Sequence, residues 1–77
     1  MDTIYILVKH INTIEEDYVE LVKASYEKEE LLKLLNELSL KYLNKYIMIE
    51  SNNDYKKFTN IDYTYLIEIY IETLNLW

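Results

Sequence analysis

Glycine, proline and cysteine are all absent from the chain, and none of its eight basic side chains is arginine. Each absence removes a class of structure or chemistry. Without glycine there is no phosphate-cradling P-loop and no dinucleotide fingerprint. Without glycine or proline, turns must be built from Asn, Asp, Ser and Thr. Without cysteine there is no disulfide framework, no thiol nucleophile and no thiolate metal site. Without arginine the planar fork that grips phosphates and reads guanine is missing. Histidine occurs once, as His10. A zinc site needs several His or Cys ligands, and no Ser-His-Asp or Cys-His arrangement can be completed, so His10 reads as a strand-end surface residue.

What is present is acid and apolar bulk. Fourteen Asp and Glu against eight Lys give a formal charge of -6, which opposes direct nucleic-acid binding and favours a partner with a basic surface. With 77 residues, 51% hydrophobic and 29% charged, the chain has material for one modest core, so residues 1–77 are expected to form a single domain. Met1-Asp2-Thr3 carries an acid where a secretory signal carries basic residues, and no stretch approaches ~20 uninterrupted apolar residues. The expected address is cytoplasmic, in a bacterium or an infected host cell, with no membrane contact. Heavy use of Ile, Lys, Asn and Tyr fits the coding bias of a low-GC bacterium or one of its phages.

Along the chain, Thr3 to His10 alternates and predicts a strand, with Ile4, Ile6 and Val8 on one side and Tyr5, Leu7 and Lys9 on the other. The polar run 12–16 leads into a second strand from Asp17 to Ala24, predicting a hairpin. From Ser25 the period turns helical. Leu31, Leu34, Leu35, Leu38 and Tyr42 make one stripe, widened by Leu32 and Leu43, with Ser25 as the expected N-cap. Acids at the start and Lys41 and Lys45 at the end suit the helix dipole. Tyr46 to Ile49 is expected to be a short strand, and Ser51 to Asn60 the main surface loop. Asp62 to Thr73 alternates again, with Tyr63, Tyr65, Ile67, Ile69 and Ile71 on one face. The expected fold is α+β, an antiparallel sheet of three to four strands with one amphipathic helix across one face, in the order ββα(β)β.

Candidate binding residues fall into two groups. Glu15, Glu16 and Asp17 in the hairpin loop and Glu27, Glu29 and Glu30 at the helix start are acidic clusters that fit neither a calcium loop nor a glycosidase pair. They read as solvated charges, or as partner contacts if the hairpin loop and helix start lie together. Nine tyrosines exceed what so small a core can bury with every hydroxyl satisfied. Tyr5, Tyr18 and Tyr70 fall on strand faces away from the expected core, which marks them as interface candidates or as cover for the outer sheet face. The sole tryptophan, Trp77, ends an apolar tail that packs on its own sheet or anchors a partner.

No metal, cofactor or catalytic residue is expected, so the function reading is a non-catalytic protein-binding domain. In size, charge and missing catalytic groups the chain resembles small acidic phage and mobile-element inhibitors of the anti-defence and anti-CRISPR type. That resemblance implies carboxylates competing with phosphates for a basic nucleic-acid-binding site on a host protein. The alternative is a structural or regulatory homo-oligomer, a homodimer for example, joined through the last strand or the Tyr-rich sheet face.

Overall fold

Alternating apolar residues at both ends of the chain produce its two longest strands, β1 (Asp2–Thr13) and β5 (Tyr65–Leu76), which pair antiparallel along their whole length. The computed structural model describes residues 2–76. Between these strands lie β2 (Asp17–Ser25), α1 (Lys28–Tyr42), β3 (Ile47–Asn52) and β4 (Tyr55–Thr59). The strands form one antiparallel sheet in the order β2-β1-β5-β4-β3. The α+β class is as expected, but the sheet has five strands rather than three or four, and the order is ββαβββ.

The additional strand comes from the expected surface loop. Residues 51–60 hold the end of β3, a turn at Asn53-Asp54 and all of β4. Lys56 and Lys57 give the segment a loop-like composition, yet Phe58, the residue after them, is fully buried and pairs with Ile67. Tyr46 to Ile49 does yield a strand, starting at Ile47.

The stripe of α1 packs on one face of the sheet. Leu31 and Leu35 are buried against Leu7, Ile11, Phe58, Ile67 and Ile69, and Leu34, Leu38 and Tyr42 flank them. Each fully buried Leu, Ile or Phe contributes about 1.5–3 kcal/mol relative to exposure. Ser39, also buried, donates its hydroxyl hydrogen bond to the Leu35 carbonyl at 2.8 Å, so the packed face holds no unsatisfied polar group there.

The helix lies on the opposite side of β1 from the expected one. Leu7 and Ile11 face it, opposite Ile71 and Ile67 of β5, while Ile4, Ile6 and Val8 point the other way. Register decides this: the isoleucine face of β5 is the strongest apolar row in the chain, and cross-strand neighbours share a face. Tyr5 therefore packs against the core instead of facing away from it. Tyr63, assigned to the core face, sits exposed in the turn before β5.

Polar side chains build the turns, as the lack of glycine requires. Thr13 Oγ1 accepts from the N–H groups of Glu15 (3.3 Å) and Glu16 (2.9 Å). Asn60 Oδ1 accepts from the N–H groups of Thr64 (3.0 Å) and Tyr65 (3.2 Å), and its amide donates to the Thr64 hydroxyl at 2.9 Å. Ser25 is the last residue of β2 rather than the helix cap. The capping position is Glu27, whose N–H donates to Ser25 Oγ at 3.0 Å.

Candidate functional site: the uncovered sheet face

With one helix and one sheet, the second face of the sheet has no layer over it among the described residues. The pairing registers fix which residues stand there, since side chains directly opposite one another point the same way. Leu21, Val8, Tyr70 and Tyr55 form one row across β2, β1, β5 and β4. Two residues along, Val19, His10, Glu68, Lys57 and Glu50 form the next row, across all five strands. An apolar row thus lies beside a charged one. Leu21 and Val19 are 60% and 62% exposed, whereas Val8 is only 6% exposed although no helix covers it. Tyr55 and Tyr70 stack with ring centroids 6.1 Å apart and an interplanar angle of 29°.

The charged row is organised around His10. Its Nδ1 lies 3.2 Å from Glu68 Oε1, and its Nε2 meets Asp17 Oδ1. The imidazolium donates to both carboxylates at once, which the neutral ring cannot do. Hydrogen bonding to Asp17, with the charges of Asp17 and Glu68, holds the His10 pKa above its ordinary value. Glu68 also accepts from the Tyr55 hydroxyl. Burial first, and then the Glu68 carboxylate, raises the Tyr55 phenol well above its usual range. Burial likewise raises Tyr70, and Glu72 and Glu68 add to it. His10, Asp17, Glu68 and Tyr55 thus form one hydrogen-bonded chain across β2, β1, β5 and β4. Among the described residues no cluster of His, Asp and Glu is arranged to hold a metal ion.

The expected acidic site does not come together. Glu15 and Glu16 sit in the β1–β2 turn, Glu27 holds the position before the helix without a capping hydrogen bond, and Glu29 and Glu30 lie in its first turn. The nine residues of β2 separate the two groups by roughly 26 Å. Glu15 and Glu16 share a shallow depression with Asn60 and Thr64, while Glu27, Glu29 and Glu30 line another beside Lys33 and Asn36. Glu30 is engaged within the chain: Lys23 Nζ is 2.6 Å away and the Ser25 hydroxyl donates at 3.0 Å, which together lower the Glu30 pKa. Asp17 is taken by His10.

Of the aromatic candidates, Tyr70 stands on the uncovered face. Tyr18 is opposite Ile11 on the helix side, at the β2 edge and 46% exposed. Trp77 lies outside the described residues, and the tail before it is paired strand, Leu74 with Ile4 and Leu76 with Asp2. Sequence reasoning missed His10, Glu68 and Tyr55 as a group. His10 follows Ile4, Ile6 and Val8 on one side of β1, and Glu68 lies between Leu66 and Tyr70 on one side of β5.

Among the described residues no helix is long and apolar enough to cross a membrane. Comparison of the chain with protein-family models, with characterised proteins and with solved structures gives no match.

Proposed function

We propose that this chain is a non-catalytic protein-binding domain that docks through its uncovered sheet face. The observation that carries the reading is the pair of adjacent rows: Leu21, Val8, Tyr70 and Tyr55 beside Val19, His10, Glu68, Lys57 and Glu50. Open apolar surface edged by polar residues is the anatomy of a protein interface. Asp17, Glu50, Glu68 and Glu72 on that face outnumber its cations, Lys57 and His10, so the fitting partner has an apolar centre and Lys or Arg around it. An inhibitor that occupies a nucleic-acid-binding site is one form of this reading. Its carboxylates would be those of the open face rather than the two separated clusters.

The test compares capture of proteins from a low-GC bacterial lysate by the wild-type chain, by Leu21→Lys on the open face and by Asn36→Lys on the helix exterior. Both positions are exposed, so both variants should keep the fold. The expected result is a partner held by wild type and Asn36→Lys, released by added salt, and lost at least ~10-fold with Leu21→Lys. A partner lost with Asn36→Lys and kept with Leu21→Lys would contradict the reading.

A further inference from the structure

β1 and β5 outrun the rest of the sheet. Their ladder runs from Asp2 opposite Leu76 to Thr13 opposite Tyr65, but β2 reaches only to Tyr5 and β4 only to Tyr70. The Ile71 N–H closes the β4 side by donating to the Asp54 carbonyl at 3.0 Å. Past that point the outer edge of β5, from Glu72 to Leu76, has no strand beside it among the described residues. This two-stranded arm contributes to the 44 Å length of a molecule only 16 Å thick.

We propose that this edge pairs antiparallel with the same edge of a second copy of the chain, about a twofold axis at Leu74, so that two sheets become one. The inference goes beyond docking through the open face, because it uses the backbone edge and names the occupant. Three observations carry it. First, the edge has a usable ladder. Backbone groups alternate in direction along a strand, and Ile71 points its N–H towards β4, so Thr73 and Asn75 point theirs into solvent.

Second, the segment is complementary to itself. Centred on Leu74, Thr73 falls opposite Asn75 of the second copy and Glu72 falls opposite its Leu76, so the two Glu72 carboxylates never meet. Leu74, 49% exposed, gains its own copy as a neighbour. The overhang also has the right length. Leu76 of the second copy reaches Glu72, one residue short of Ile71, whose N–H Asp54 already occupies.

Third, the two outermost strands carry bulges and the β5 overhang does not. β2 carries a bulge at Val22, between the pairs Leu7–Lys23 and Val8–Leu21, and β3 carries one at Ile49, between Met48–Phe58 and Glu50–Lys57. Bulges are a common device against edge pairing. The β1–β5 ladder runs without a register shift.

The chain has no cysteine, so a single introduced thiol can only form a disulfide between copies. In the proposed register the Leu74 Cα atoms are a non-hydrogen-bonded pair about 4.5 Å apart, which a disulfide spans. Two Glu72 positions are offset by four residues, roughly 13 Å, which it does not. Leu74→Cys should therefore cross-link into dimers under mild oxidation, and Glu72→Cys should stay monomeric. Adding Thr73→Pro to Leu74→Cys should cut the cross-linked fraction at least ~10-fold without changing the circular dichroism spectrum, because proline is tolerated where the edge N–H faces solvent. Equal cross-linking of both cysteine variants, or of neither, would overturn the proposal. So would a dimer that survives Thr73→Pro and dissociates with Leu21→Lys, which would put the second copy on the open face.

Discussion

His10 on β1 stands directly across the ladder from Glu68 on β5, with its Nδ1 3.2 Å from Glu68 Oε1, while its other ring nitrogen meets Asp17 on β2. One protonated ring thereby ties three neighbouring strands together on a face that no helix covers. The charged form is the one with two partners, and its pKa is raised in the folded chain, above the value in the unfolded chain. The associated stability is therefore fully present below the unfolded pKa of about 6.5 and is lost as pH rises through the folded value. Denaturant midpoints of the wild-type chain should therefore fall as pH rises above about 6.5. His10→Gln should flatten that slope, and an unchanged slope would show that His10 does not bridge the carboxylates.

Leu35 is fully buried at the middle of the helix stripe, while Leu40, one turn on and facing out, is 67% exposed. Leu35→Ala should cost about 2–5 kcal/mol of unfolding free energy. Leu40→Ala should change it by less than about 0.5 kcal/mol. Urea denaturation of the two variants measures the contrast. Similar losses would mean that the helix rests on the sheet by a different stripe.

Tyr63 has φ of 59°, in the left-handed region, in a turn that a glycine would ordinarily fill. Its side chain is 66% exposed, so little packing holds it there. Asparagine tolerates this region better than a bulky aromatic residue does. Tyr63→Asn should raise unfolding free energy by about 0.5–1 kcal/mol. A loss of stability would show that the ring itself supports the β4–β5 turn.

Much of the fold was legible in the sequence because its signals agreed with one another. The helix stripe Leu31, Leu35, Leu38 and the isoleucine face of β5 each have a single apolar side, so period alone orients them. β1 was not legible in the same way. Ile4, Ile6 and Val8 are as apolar as Tyr5, Leu7 and Ile11, and only pairing with β5 selects the second set. β4 was hidden because its five residues include two lysines and a single apolar residue that enters the core, Phe58.

The open face was less legible than the fold. Its two rows assemble one or two residues from each strand, and no stretch of sequence contains them together. The acidic clusters, by contrast, are contiguous in sequence and conspicuous there, yet β2 carries them to its opposite ends. Local charge density does not locate a surface that the topology creates.

The most direct measurement of the open face is a titration of the isotope-labelled chain with its captured partner, read by magnetic resonance. Signals from Val8, Val19, Leu21 and Tyr70 should shift or broaden, while those of Lys33, Asn36 and Leu40 on the helix exterior stay in place. Perturbation confined to the helix side would contradict binding through the uncovered sheet face.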